Sequence, residues 1–194
     1  MINNKEQIKN LLVFDSNDDF YHLQILKRKK ENPDLGSNSY VIKTYYIRSV
    51  EHLEKRFSEI THLCDFHNAR AYINLNPRSF ERIAFHTLKK ISDIIMNKDY
   101  PSVRNAYESA AGAFPNGKNK RWVIDVDSFD EEYIERIKIN LILFQEAAKQ
   151  EPITVRIPTK NGIHFITKPF DVRKITLTFP EIDVHRNNPT LLYF

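Results

Sequence analysis

The chain has 194 residues, 41% hydrophobic and 28% charged, which is ordinary for a soluble globular protein and long enough for one sizeable core, with roughly 70% of the unfolded surface buried. No window approaches the ~20 apolar residues of a membrane span, the opening "MINNKEQIKN" is polar where a signal peptide is apolar, and the single cysteine, Cys64, excludes an internal disulfide or cysteine-rich zinc site. A cytoplasmic protein is expected, and the net charge of +4 with a pI near 9.0 tolerates a polyanionic partner without demonstrating one.

In "KEQIKNLLVF" the apolar Ile8, Leu11 and Leu12 have helical spacing, and "DSNDDF" then supplies turn and capping chemistry. "FYHLQILKRKK" and "NSYVIKTYYI" are rich in aromatic and β-branched residues, and the Pro and Gly cluster "ENPDLGS" between them predicts a strand pair. In "SVEHLEKRFSEITHLCDF" Ser49 is an N-cap, His52 stands where a capping box would have Glu, and Leu53, Phe57, Ile60 and Leu63 mark one helix face. A short strand in "ARAYINLNPRS", closed by Asn76 and Pro77, precedes "SFERIAFHTLKKISDIIMNKD", the longest amphipathic helix expected. "PSVRNAYESAAGAF" adds a helical piece with Pro101 near its first turn, where a missing N–H costs nothing.

From "PNGKNK" onward the character changes. The order is strand ("RWVIDVD"), helix ("DEEYIERIKINLILFQEAAKQ"), strand, turn and strand ("ITVRIPTKNGIHFIT"), a linking segment ("KPFDVRKITLTF") and a last strand pair ("EIDVHRNNPTLLYF"). Mixed strands and helices closed by hairpins predict an α+β fold with helices on one side of the sheet. One domain with two lobes is expected: a helical and mixed amino-terminal lobe over 1–115 and a carboxy-terminal sheet over 116–194.

Side chains alternate across a strand, so Asp125 and Asp127 share one face of "RWVIDVD" while Trp122, Ile124 and Val126 share the other. Two like charges so close resist joint ionisation unless something positive intervenes. A divalent cation would serve, because Mg2+ takes one or two carboxylates plus phosphate oxygens and water; solvation, or pairing with Lys120 and Arg121, would serve equally. In "RIPTKNGIHFI", Asn161 and Gly162 predict a two-residue type I′ hairpin tip, which sets Thr159 opposite His164 and Lys160 opposite Ile163. His164 is then either a hydrogen-bonded core histidine or a phosphate contact beside Lys160 and Thr159. In "EIDVHRNNPTLLYF", Glu181, Asp183 and His185 alternate with Ile182 and Val184. Asp183 is a surface acid or the third member of a carboxylate cluster, of the kind that holds two cations about 3.5 to 4 Å apart for attack on phosphorus.

Taken in order, a strand with Asp-x-Asp, a hairpin with Thr-Lys-Asn-Gly-x-His and a strand with Ile-Asp resemble the three motifs of the archaeo-eukaryotic primase superfamily, including the primase-polymerases of phages and plasmids. The match spans residues 120 to 194. The resemblance implies an RRM-like sheet with flanking helices, with Asp125, Asp127 and Asp183 as catalytic metal ligands for Mg2+ or Mn2+. It also implies nucleotide contact by His164, with Thr159 and Lys160. Nucleoside triphosphates, a DNA template and a replicative helicase are the partners it implies. The zinc cysteines of some relatives are absent from residues 1–194, and the elements that follow the third motif in larger relatives are not expected. Arg70, Arg78 and Arg82, with Lys27 to Lys30, are the expected contacts to template phosphates. A non-catalytic nucleic-acid-binding relative and a metal-dependent nuclease are the competing readings. With 4 glycines the chain has no Gly-x-Ser-x-Gly elbow, Walker loop or dinucleotide fingerprint.

Overall fold

The computed structural model describes residues 1–36, 38–115, 120–149 and 151–194. Over these residues it is a mixed α/β protein with two antiparallel sheets. Strand β1 (Asp19–Arg28) pairs with β2 (Ser39–Ile47) as the aromatic and β-branched content of both predicts. On its other side β1 pairs with β3 (Arg70–Ile73), and the two-residue β4 (Arg78–Ser79) pairs with its start. One face of this sheet carries α2 (Val50–His67). The hydroxyl of Ser49 accepts the His52 N–H at 3.0 Å to open that helix, and Asn68 closes it with φ 48°. Leu53, Ile60 and Cys64 of α2 are buried against Leu23, Ile25 and Ile73. Each such aliphatic side chain contributes about 1.5–3 kcal/mol on burial. The short α1 (Lys5–Lys9) adds Ile8 to the same core. At the other face α3 (Phe80–Met96), a 3-10 turn (Tyr100–Asn105) and α4 (Ala106–Ala113) gather Ile83, Ala110 and Ala111 around Phe20. α3 has 17 residues against 18 for α2, so it is not the longest helix.

The second sheet is built from β5 (Trp122–Val126), α5 (Glu131–Ala147), β6 (Thr154–Pro158), β7 (Ile163–Thr167), α6 (Val172–Thr178) and β8 (Asp183–His185). Its spatial order is β6-β7-β5-β8, with every pairing antiparallel. The alternation along β5 does what period-two patterning requires. Ile124 and Val126 join Phe165 against Ile134, Ile137 and Leu141 of α5 and Ile175 of α6, while Val123, Ile157 and Ile166 enter the core that also holds Leu23 and Ile73. The two sheets therefore share one apolar core.

Three expectations are corrected here. Helices do not keep to one side: the first sheet carries α2 on one face and α3 with α4 on the other. The segment "KPFDVRKITLTF" is not a mere link: it forms α6, whose first turn is capped by Asp171 accepting the Arg173 N–H at 3.1 Å. The closing "EIDVHRNNPTLLYF" is not a strand pair either. β8 adds to β5, and β9 (Thr190–Tyr193) crosses to the first sheet and pairs with β3. The first sheet thus reads β2-β1-β3-β9, and its last strand comes from the 116–194 lobe. The expected lobe boundary itself abuts 116–119, outside the described residues. Among the described residues no helix is long and apolar enough to cross a membrane.

Candidate active site

Asp125 sits in the central strand of the second sheet, directly opposite His164 on β7 and Asp183 on β8. Directly opposed residues share a face, and Asp127, two positions on, shares it too. His185 lies opposite Val123 on the same side. That face turns toward the first sheet across a cleft of about 380 Å3, within the range of small-ligand sites. Asp125, Asp127, His164 and His185 line one wall; Leu26, Arg28, Lys30, Arg70 and Tyr72 line the other; Thr159, Lys160 and Asn161 close one end.

Burial raises the pKa of Asp125 most, and the negative charges of Asp127 and Asp183 add to it, while His185 and Arg28 oppose the rise. Burial, aided by the neighbouring His185, pushes His164 down to about 4, so its ring is neutral near pH 7. Its Nε2 lies 3.5 Å from Asp125 Oδ1 and its Nδ1 2.9 Å from Thr190 Oγ1. With the imidazole neutral, the contact to Asp125 is a polar one rather than an ion pair.

The hairpin exists, but its tip is displaced by one residue. Pro158 opposes Ile163, Ile157 opposes His164, and the Thr159 N–H donates to the Gly162 carbonyl at 2.9 Å. The tip is therefore Lys160 and Asn161 instead of Asn161 and Gly162, and Thr159 does not face His164. Neither Lys160 nor Asn161 has the positive φ of a type I′ turn, and Gly162 has no left-handed φ either. Gly162 serves another need, since a Cβ there would lie 2.1 Å from the carbonyl oxygen of Val126 at the end of β5. The displaced tip puts Lys160 and Thr159 at the same cleft as His164. Lys160 Nζ is 3.8 Å from Glu31 Oε1 and 5.1 Å from the centre of the Phe194 ring.

The three arginines named from the sequence part company. Arg70 lines the cleft, but its guanidinium is already engaged, pairing with the buried Glu31, donating to the Tyr72 hydroxyl at 3.3 Å and stacking 4.3 Å over Phe194. Arg82 is exposed on the first turn of α3, outside the cleft lining. Arg78 is corrected outright as a template contact. It is 0% exposed, and it donates to the Ala111 carbonyl at 2.6 Å, the Gly112 carbonyl at 3.2 Å and the carbonyl of Asn76. Arg78→Lys keeps the charge but loses the planar fork, so a stability loss of about 2 kcal/mol is expected in urea unfolding, with nucleic-acid affinity unchanged. Comparison with protein-family models, curated proteins and solved structures returned no match. Function is therefore argued from the site itself.

Of the residues expected to hold metal, Asp125 and Asp127 line the cleft, whereas Asp183 is exposed and does not. Among the described residues, no three His, Cys, Asp or Glu side chains stand together as metal ligands. The observed pair nonetheless suits a hard cation that takes its remaining oxygens from phosphate and water, and such a cation would relieve the part of the raised Asp125 pKa that Asp127 and Asp183 add to the effect of burial. Sequence reasoning assigned no role to Thr190, His185 or Tyr72. Only His185 carried a signal, its alternation in phase with Asp183.

Proposed function

We propose that the protein is a metal-dependent nucleotidyltransferase of the archaeo-eukaryotic primase type, which makes primers or extends strands from nucleoside triphosphates on a DNA template. The observation that carries this reading is the placement of Asp125 in register between His164 and Asp183, beside a cleft whose opposite wall and end bring Arg28, Lys30 and Lys160. The strand-helix-strand-strand-helix-strand order with its first strand central matches an RRM-like sheet and supports the same reading.

Asp125 and Asp127 would hold Mg2+ or Mn2+ together with the triphosphate, with Asp183 joining from the rim. The ions, when bound, supply neutralisation of the phosphate charge and activation of the attacking hydroxyl. Lys160 would supply a point charge for the phosphates at the cleft end, and Arg28 with Lys30 offers charge from the facing wall. His164, neutral, would offer a polar ring contact without adding charge. In a cell, a replicative helicase would deliver the template.

The test is a labelled primer-template incubated with triphosphates and Mn2+. Lengthened primer supports the reading; shortening identifies a nuclease. If neither occurs and metal with triphosphate fails to stabilise the fold, the protein is a binding relative. In the active case Lys160→Gln is expected to raise the triphosphate KM roughly tenfold while leaving the thermal midpoint in place, as an exposed tip residue should.

A further inference from the structure

Helix α3 carries two apolar stripes. Phe80 and Ile83 turn inward to the cluster around Phe20, and the half-buried Ile91 and Ile94 are in phase with them. Roughly a third of the way round the helix, Phe85, Leu88, Ile95 and Met96 expose 65%, 63%, 51% and 79% of their surface, with the exposed Ser92 among them. Their spacing is that of a single helix face. α4, with 8 residues against 17, gathers with the inner stripe and leaves the outer one to solvent. Scattered apolar residues on a surface are ordinary, whereas a contiguous strip marks a contact. This one presents on the order of 500 Å2. A stable interface takes roughly 800 Å2 from each partner, so the strip and the polar residues along it supply most of one.

We infer that the outer face of α3 is the contact between two copies of this chain, their α3 helices packed antiparallel about a two-fold axis. A two-fold contact lays one patch on itself. With the axis between Leu88 and Ser92, Phe85 of one copy meets Ile95 of the other, and Leu88 meets Ser92, a large side chain against a small one. Ser92 can be covered there because its hydroxyl already donates to the Leu88 carbonyl at 3.1 Å. The same axis carries Glu81, in the first turn of α3, toward Lys98, just past its end, and does so twice. The exposed charges along the strip, Glu81, Lys89, Asp93 and Lys98, are of both signs. That suits a self-complementary contact better than an anionic membrane, which calls for a Lys- and Arg-rich rim. None of these residues lines the cleft, so the pairing stands apart from the nucleotidyltransferase reading.

The experiment is sedimentation velocity on the full chain over a concentration series. Wild-type protein is expected to show a monomer–dimer equilibrium. Leu88→Glu is expected to raise the dissociation constant roughly a hundredfold, while its thermal midpoint at monomer concentrations stays in place, as an exposed position requires. Glu81→Lys and Lys98→Glu are each expected to raise the constant roughly fivefold, and the two together to restore it. A monomer at every concentration overturns the inference, as does a dimer that Leu88→Glu leaves intact. A double charge variant no tighter than either single one overturns the antiparallel arrangement. Should Leu88→Glu not fold, Met96→Glu, at the most exposed position of the strip, decides in its place by the same criterion.

Discussion

Asp125→Asn is expected to reduce nucleotide incorporation by roughly a thousandfold or more, and to raise the thermal midpoint at neutral pH. The two effects have one origin. Asp125 is crowded by its surroundings: burial first, then Asp127 and Asp183, hold its pKa above the ordinary 3.8. An unfolded aspartate ionises near 3.8 while the folded one still holds its proton, so the folded state binds more protons over that interval. Stability therefore falls as pH rises from 3.8 through the folded pKa, and the whole penalty is present at neutral pH. Asparagine keeps the shape and an oxygen facing His164 but carries no charge, which removes the penalty.

His164 acts in the opposite sense. Its pKa drops from 6.5 to about 4, so the unfolded chain takes up the proton first on acidification, and stability is lost as pH falls across that interval. The asparagine variant should thus gain most near pH 7 and little below the 3.8 at which Asp125 is already protonated, while the acid-side loss due to His164 persists. Thermal melts at both ends of this range measure the difference. A lower midpoint at neutral pH would make Asp125 a structural acid, and retained incorporation would remove it from the chemistry.

The placement of the acids was legible because it depends on the shortest period in protein structure. Two-residue alternation put Asp125 and Asp127 on one face and Ile124 and Val126 on the other, and the strand obeys it. Asp183 lay in a strand of the same phase, and the register sets it opposite Asp125. What failed was whatever depended on distant packing. Asn161-Gly162 looks like a turn by local conformational preference, yet Gly162 is used where the chain passes the end of β5. The β-branched residues of "KPFDVRKITLTF" mask a helix that Asp171 caps and that the core around Ile175 holds. Nothing near Thr190 announces that β9 returns to β3, since pairing across more than a hundred residues leaves no local trace. Arg78 looked like a surface cation for the same reason: its burial is set by the carbonyls of Ala111 and Gly112, far along the chain.

Gly162→Ala is expected to destabilise the fold by about 3 kcal/mol or more, at the upper end of what overpacking does. The added methyl would stand 2.1 Å from the Val126 carbonyl oxygen, 2.7 Å from the Ser128 nitrogen and 3.0 Å from the Ser128 oxygen. All three are backbone atoms, so no flexible side chain can move aside. Val126 ends the strand that carries Asp125, and Ser128 follows Asp127, so relief requires the hairpin and the acid-bearing segment to move apart. Lys160 and His164 would then retreat from the two carboxylates together. Urea unfolding should register the lost stability. In whatever folded fraction remains, the triphosphate KM should rise by more than it does in Lys160→Gln, because Gly162→Ala displaces the whole cleft end rather than one charge. A Gly162→Ala protein as stable as the wild type would mean that the hairpin does not pack against the end of β5, and that Lys160 and Asp125 do not share a cleft.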